Sequence, residues 1–172
     1  MRTEDTLAIH ELLFAYSDAI DQQRFDQLDH VFTRDAQLDF RQTGGPTCAL
    51  PEMQVFLATE LRRYRRLQHF ISNVRVRFDD RDASLGSARS YVLAQHGYLH
   101  EGRMQFFQLG GEYADTLVRT PEGWRITSRV LHLRWLEGDV PKPSEPTPPL
   151  TPLTPLTPGE PRGRAPPRWE PR

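Results

Sequence analysis

An aspartate and a histidine that lie 48 residues apart are the two side chains in this sequence most able to do chemistry. Asp21 lies near the end of the first predicted helix, and His69 lies at the head of a predicted strand over 67–78. A carboxylate that holds an imidazole in one tautomer makes a general base that works near neutral pH. If the fold brings the two residues together, we expect them to abstract a proton from carbon.

The elements that must position this pair divide the chain into helices followed by strands. Apolar residues at helical spacing, and Pro51 as a helix-opening residue, predict the helices. The expected elements are a first helix ending near Gln22, a short helix over 24–31, a strand over 36–40 and a third helix over 51–65. Four long strands rich in β-branched and aromatic residues are expected over 67–78, 84–100, 103–119 and 123–136.

The long strands are joined by short polar connections, which suit hairpins and an antiparallel meander. Helices first and antiparallel strands second predict an α+β fold with helices packed on one face of a curled sheet. Alternation along the first long strand places Ile71 and Asn73 on the face of His69, and Val74 and Val76 on the opposite face.

Composition argues against several classes of function. The chain has 172 residues, a formal net charge of −1 and interspersed acidic and basic side chains, so neither nucleic-acid binding nor a membrane-binding basic patch is predicted. Cys48 is the only cysteine, which excludes an intrachain disulfide framework and fits a reducing cytoplasm. Because no apolar stretch reaches the length of a membrane span and the N-terminus lacks a signal-peptide pattern, we expect a soluble, cytoplasmic protein.

The sequence indicates no cofactor. The histidines other than His69 and His96 show no three-ligand spacing, and the chain has neither an H-E-x-x-H helix nor a glycine-rich phosphate loop. We therefore expect no metal, nucleotide or flavin.

The composition changes abruptly at Val140. Twelve of the fifteen prolines lie beyond it, and the triplet Leu-Thr-Pro repeats across 150–158. Proline lacks an amide donor and has a fixed φ, so this segment favours extended polyproline II and cannot build a core. We expect one folded domain over 1–139 and a disordered tail over 140–172, which is either merely solvated or a ligand for an SH3-like groove.

Several segments of the chain resemble recurring segments of one superfamily. They are residues 9–21, 31–36, 69–73, 111–113 and 123–129, and together they span about residues 4–136. With the order of the elements, they resemble the SnoaL-like, or nuclear transport factor 2-like, superfamily. The resemblance implies a cone-shaped, curled antiparallel sheet packed on three N-terminal helices, a cystatin-like α+β barrel, around a deep pocket.

Within this superfamily the chain looks most like the branch that contains scytalone dehydratase, bile-acid dehydratase and hexachlorocyclohexane dehydrochlorinase. That branch pairs an aspartate on the first helix with a histidine on the strand, and Asp21 and His69 stand at the matching places. Tyr16 matches a tyrosine of several members where the dehydrochlorinase has a lysine, which favours loss of water over loss of chloride. Arg129 matches an arginine that the dehydrochlorinase uses, and His96 matches a second polar position of some dehydratases.

The candidate site therefore has two sets of residues. The catalytic candidates are Asp21, His69, Tyr16 and His96, and the substrate-binding candidates are Asn73, Arg129, Tyr113 and Phe14. Structural roles are open as well, since Tyr16 also fits the helix core and His96 an ordinary strand position. An inward-facing Arg129 needs a carboxylate or a substrate oxygen.

These residues and the resemblance predict a cofactor-independent lyase of the dehydratase type. His69, held by Asp21, takes a proton next to a carbonyl in an apolar, polyketide- or steroid-like molecule, and Tyr16 polarises that carbonyl. An isomerase or cyclase begins with the same step, and a non-catalytic small-molecule-binding or assembly protein is the alternative of a different class. Large apolar residues on both strand faces predict a homo-oligomer, and the resemblance places a trimer ahead of a dimer.

Overall fold

A computed structural model describes residues 2–141 and begins with helix α1 (Arg2–Asp21). The helix buries one face, on which the apolar residues recur every three or four positions. The buried residues are Ile9, Leu12, Leu13, Tyr16, Ala19 and Ile20. Because α1 ends at Asp21, close to the predicted end, this carboxylate lies where the helix meets the sheet.

The remaining elements follow in chain order within residues 2–141. They are β1 (Phe32–Asp39), β2 (Thr47–Ala49), α2 (Leu50–Glu60), β3 (Arg66–Phe78), β4 (Leu85–His100), β5 (Arg103–Thr120) and β6 (Gly123–Glu137). Short 3₁₀ helices cover Phe25–His30, Arg41–Thr43 and Leu61–Arg63. The long strands β3 to β6 begin and end within two residues of their predicted bounds.

The first part of the chain differs from the prediction in several details. The second helix is a 3₁₀ helix rather than an α-helix, and α2 ends at Glu60 and continues only as a 3₁₀ turn. Strand β1 begins at Phe32 rather than at residue 36. Strand β2 has no predicted counterpart, because three residues are too few to carry a periodic pattern.

The strands form one sheet in the order β2-β1-β6-β5-β4-β3. Neighbouring strands are antiparallel except β1 and β6, which run parallel. The sheet curls around the helices and stays open, with β2 and β3 at its edges. The predicted α+β cone is therefore confirmed, as an open cone with one parallel pair of strands.

A β-bulge in β3 overturns the predicted alternation along that strand. The register with β4 shifts by one residue between Ser72 and Arg75, and Asn73 takes a left-handed φ of 51°. One extra residue moves every later side chain to the opposite face. Asn73 therefore lies on the outer face of the sheet. Val74 and Val76 pack against the core, on the same side of the strand as His69.

The predicted tail over 140–172 lies outside the described residues, apart from Val140 and Pro141. Over residues 2–141, no helix is both long and apolar enough to cross a membrane.

Candidate active site

A cavity of about 410 Å³ lies between the helices and the concave face of the sheet. Its lining is mostly apolar, with a few polar groups directed into it, as is usual for small-molecule sites. The polar and aromatic lining includes Tyr16, Tyr64, His69, His96, Phe107 and Tyr113. Helix α1 and strands β3, β4 and β5 thus contribute most of the predicted catalytic residues to one space.

Asp21 and His69 are in direct contact at the wall of this cavity. One carboxylate oxygen of Asp21 lies 2.6 Å from His69 Nδ1, and the other accepts the backbone N–H of His69 at 2.9 Å. A carboxylate only accepts, so Nδ1 carries the ring proton and Nε2 is left with a free lone pair. The His69 ring is almost fully buried, and the Asp21 side chain is about one quarter exposed.

The local chain path explains how Asp21 reaches β3. After Asp21 the helix is closed by a turn in which Gln23 adopts a φ of 54°. The Gln23 side chain then donates to the carbonyl oxygens of Leu61 and Tyr64, which lie just before β3. These bonds fasten the end of α1 to the start of the strand that bears His69.

His96 faces the same cavity from β4, and no carboxylate of the described residues 2–141 pairs with it. Its ring stacks on Phe107 with 4.5 Å between centroids, and it meets His69 edge-on at 5.6 Å. Burial, reinforced by His69, lowers the pKa of His96 to about 3. The ring is therefore neutral at physiological pH, and its buried Nδ1 has no hydrogen-bond partner among residues 2–141.

Tyr16 and Tyr113 line the closed end of the cavity. Their rings meet edge-on at 5.6 Å, and both side chains are buried. Burial raises the pKa of both phenols, that of Tyr113 more strongly. Both hydroxyls therefore stay protonated and can donate hydrogen bonds.

Arg129 is fully buried but is not among the residues that line the cavity. Its Nε and Nη2 donate to the two carboxylate oxygens of Asp115, each at 2.8 Å. The carboxylate that an inward arginine requires is therefore a residue of this chain. This corrects the prediction of direct substrate contact, because Arg129 lies behind the wall formed by Tyr16 and Tyr113.

The two other substrate-binding candidates also lie away from the cavity. Asn73 lies on the outer face of the sheet, beside Arg89, Tyr91 and Glu112. The β3 bulge is the reason, since strict alternation would have pointed this side chain inward. Phe14 is exposed on the outward side of α1 and contacts His10.

The mouth of the cavity is formed by residues that the sequence did not single out. Glu60 and Arg63, from the end of α2 and the following turn, form an ion pair there. Val140 also lines the cavity, and the carbonyl oxygen of Pro141 accepts a bond from Arg63 at 3.5 Å. Val140 and Pro141, which follow β6, therefore lie beside Arg63 at this end of the cavity.

No group of three or more His, Cys, Asp or Glu side chains within residues 2–141 is arranged to hold a metal ion. The cavity instead offers one carboxylate-bound imidazole, one neutral imidazole and three phenols, those of Tyr16, Tyr64 and Tyr113. Such groups can move one proton and stabilise a developing oxyanion.

A family model described as a SnoaL-like domain matches residues 1–130. The uncharacterized protein Rv2910c of Mycobacterium tuberculosis is 42% identical to the chain over 127 residues, which are 73% of this chain and 83% of that protein.

Two solved structures show the same fold. A protein of Novosphingobium aromaticivorans named as a candidate scytalone dehydratase has a TM-score of 0.71 and 24% identity, covering 84% of this chain and 94% of that one. The hexachlorocyclohexane dehydrochlorinase LinA-type3 of Novosphingobium barchaimii has a TM-score of 0.68 and 18% identity, covering 85% and 97%. At these identities, the likeness concerns the fold.

Proposed function

Because the chain belongs to the SnoaL-like domain family, we propose that it is a cofactor-independent lyase of the dehydratase type, acting on an apolar, polyketide- or steroid-like small molecule. The observation that carries the proposal is the Asp21–His69 contact at the wall of a largely apolar cavity.

His69 is the general base of this reaction. Asp21 holds the Nδ1 proton, so Nε2 takes the proton from the carbon next to the substrate carbonyl. The carboxylate also stabilises the imidazolium that forms. The same proton is then delivered to the departing hydroxyl, so that the products are water, the unsaturated carbonyl compound and the original neutral His69.

The carbonyl oxygen gains negative charge as the proton leaves. Tyr16 donates a hydrogen bond to this oxygen, and Tyr113 supports it from the neighbouring strand. Both phenols have pKa values raised by burial, so each remains a donor through the catalytic cycle.

His96 takes part as a neutral hydrogen-bonding group. With its pKa lowered to about 3 by burial, it is not an imidazolium that could protonate the leaving hydroxyl. His69 is therefore the residue that returns the proton. His96 instead orients the hydroxyl as a neutral ring that lines the cavity beside His69.

Replacement of His69 by Ala tests the proposal. A panel of hydroxylated polycyclic ketones is screened for loss of one water by mass spectrometry, starting with molecules that co-purify with the protein. We expect His69→Ala to lower turnover by at least about 10³-fold, with the fold retained. The matched control is His100→Ala, because His100 is exposed at the end of β4. Turnover by His69→Ala within tenfold of the wild type would refute the mechanism.

An isomerase is the second candidate, and the neutral state of His96 favours it. Isomerisation needs only one group that removes and returns a proton, and the cavity holds one carboxylate-bound histidine. The two reactions are distinguished by product mass, which falls by one water in dehydration and is unchanged in isomerisation.

A non-catalytic binding or assembly role makes the opposite prediction for the proline-rich segment. Deletion of residues 142–172 leaves Val140 and Pro141 at the cavity mouth. An enzyme keeps its turnover after this deletion, whereas an assembly protein loses its partner and has no turnover to lose.

The proposed enzyme assembles through the outer face of its sheet. A row of large apolar side chains crosses this face and consists of Phe70, Leu93 and Trp135. In the strand register, Phe70 pairs with Leu93, Leu93 with Gly110, and Gly110 with Trp135. All three side chains are exposed. A row of this kind is unusual on a monomer and fits a homo-oligomer, a trimer ahead of a dimer.

Light scattering at micromolar concentration tests the assembly. Leu93→Arg places a charge in the middle of the row and should yield monomers. Ser87→Arg, on the same strand and also exposed, is the control and should leave the mass unchanged. A monomeric mass for the wild type would exclude the assembly.

A further inference from the structure

Arg129 and Asp115 form a sealed ion pair behind the closed end of the cavity. The two residues are direct neighbours on β6 and β5, and neither side chain is exposed. The bidentate contact, with both bonds at 2.8 Å, fixes the plane of the guanidinium.

The guanidinium packs in the angle between two tyrosine rings, whose planes are nearly perpendicular. Its central carbon is 4.2 Å from the centre of the Tyr16 ring and 4.1 Å from the centre of the Tyr113 ring. A cation on an aromatic face is held by the ring quadrupole, and most strongly when water is excluded. Both rings belong to the cavity wall, so the ion pair sets the position of that wall.

Stability alone is a weak reason for such a pair. Two buried charges lose their hydration, and well-packed apolar residues of similar volume are often as stable or more stable. A cation that packs against both rings has a property that apolar residues lack, because its attraction to each ring depends on direction and therefore restricts the tilt of that ring.

The two rings also fix each other. They meet edge-on, with 5.6 Å between their centres and 81° between their planes. Burial raises the pKa of both phenols, so both hydroxyls keep their protons and remain available as hydrogen-bond donors.

We infer that Arg129 and Asp115 are positioning residues that hold the Tyr16 and Tyr113 rings in place, so that the Tyr16 hydroxyl meets an oxyanion in the cavity. The inference rests on the proposed function for the identity of that oxyanion, an enolate oxygen. Neither Arg129 nor Asp115 touches the bound molecule.

The test measures equilibrium binding of 4-nitrophenol, whose phenolate oxygen stands in for the enolate oxygen and whose absorbance reports its ionisation when bound. The variant is Asp115→Leu/Arg129→Met, which removes both charges together and keeps the volume. We expect phenolate affinity to fall about tenfold, the equivalent of one well-placed hydrogen bond. Affinity for neutral phenol should change much less. Arg134→Met, an exposed arginine of the same strand, is the control and should bind like the wild type.

A double-mutant cycle with Tyr16→Phe separates positioning from direct contact. If the ion pair acts through Tyr16, replacing Asp115 and Arg129 should lower phenolate affinity little further in the Tyr16→Phe background. An equal tenfold loss in both backgrounds would mean that Arg129 acts on the ligand itself, and no loss in a folded double variant would mean that the pair is only structural. Either result overturns the inference, as does a wild type that binds phenolate no better than neutral phenol.

Arg129→Lys keeps the test decisive if the double variant does not fold. Lysine keeps the charge beside Asp115 but has no planar group to pack against both rings. We expect a partial loss of phenolate affinity, and an unchanged affinity would overturn the inference. Because the readout is binding rather than turnover, these outcomes are independent of whether His69→Ala abolishes catalysis.

Discussion

Two carboxylate–cation pairs hold different parts of this cavity, and they differ in what the partner can do. Asp21–His69 lies at the cavity wall, with a partner whose ring can both accept and donate a proton and an aspartate about one quarter exposed. Asp115–Arg129 is completely buried, with a partner that stays charged at any physiological pH. The first pair can exchange a proton with a ligand, whereas the second can only hold its neighbours in place.

The difference shows how burial assigns roles to similar pairs. A fully buried charge must keep its partner, because the stranded charge cannot be hydrated. A pair with access to a cavity can change its charge during a reaction, since ligand and water can compensate. Proton transfer is thus expected at Asp21–His69, and orientation at Asp115–Arg129.

The largest expected effect is a loss of stability when one residue of the buried Asp115–Arg129 pair is removed. Arg129→Ala leaves the Asp115 carboxylate without a partner inside the protein and should lower the free energy of unfolding by about 3–5 kcal/mol. Asp21→Ala removes two hydrogen bonds to His69 and should cost about 1–3 kcal/mol. Urea titrations at pH 7 measure both. Equal losses would mean that the two pairs do not differ in the proposed way.

A smaller effect, on activity alone, is expected from a conservative change in the Asp21–His69 pair. Asp21→Asn can still accept the backbone N–H of His69, so the fold should survive. The amide no longer fixes the tautomer or stabilises the imidazolium, and kcat should fall about 10²-fold with little change in KM. Asp18→Asn, one turn earlier on the exposed side of α1, serves as the control. A normal kcat for Asp21→Asn would make this pair structural and favour the binding-protein alternative.

The sequence predicted both residues of the Asp21–His69 pair but only one residue of the Asp115–Arg129 pair. Asp21 and His69 were identified from the family resemblance, and the long strands that carry the site are evident from their alternation. Arg129 was identified without Asp115. Counting back from the Pro121-Glu122 turn places Asp115 opposite Ser128, and a bulge between Thr116 and Leu117 moves it opposite Arg129.

Bulges limited the prediction of side-chain direction in the same way at Asn73. A single inserted residue reverses the face of every residue after it. The left-handed backbone at Asn73 belongs to a residue type that tolerates it, but asparagine alone does not distinguish a bulge from a regular strand. The cavity mouth at Arg63 and Val140 depends on contacts distant in sequence, which local patterns do not encode.

The smallest expected effect, counted per pH unit, concerns His96, the cavity histidine that pairs with no carboxylate of residues 2–141. Burial lowers its pKa from 6.5 to about 3, so between these values the unfolded chain binds a proton that the folded protein does not. Stability should therefore fall as the pH decreases from about 6.5 toward 3, by at most about 1.4 kcal/mol per pH unit from this residue. His96→Phe keeps an aromatic ring on Phe107 and removes the titrating group, so its urea midpoint should decrease less steeply between pH 6 and pH 4. His100→Gln should follow the wild-type slope, because His100 is exposed. Parallel slopes for wild type and His96→Phe would mean that His96 accepts a proton inside the folded protein. In that case the lack of a carboxylate would not separate its role from that of His69.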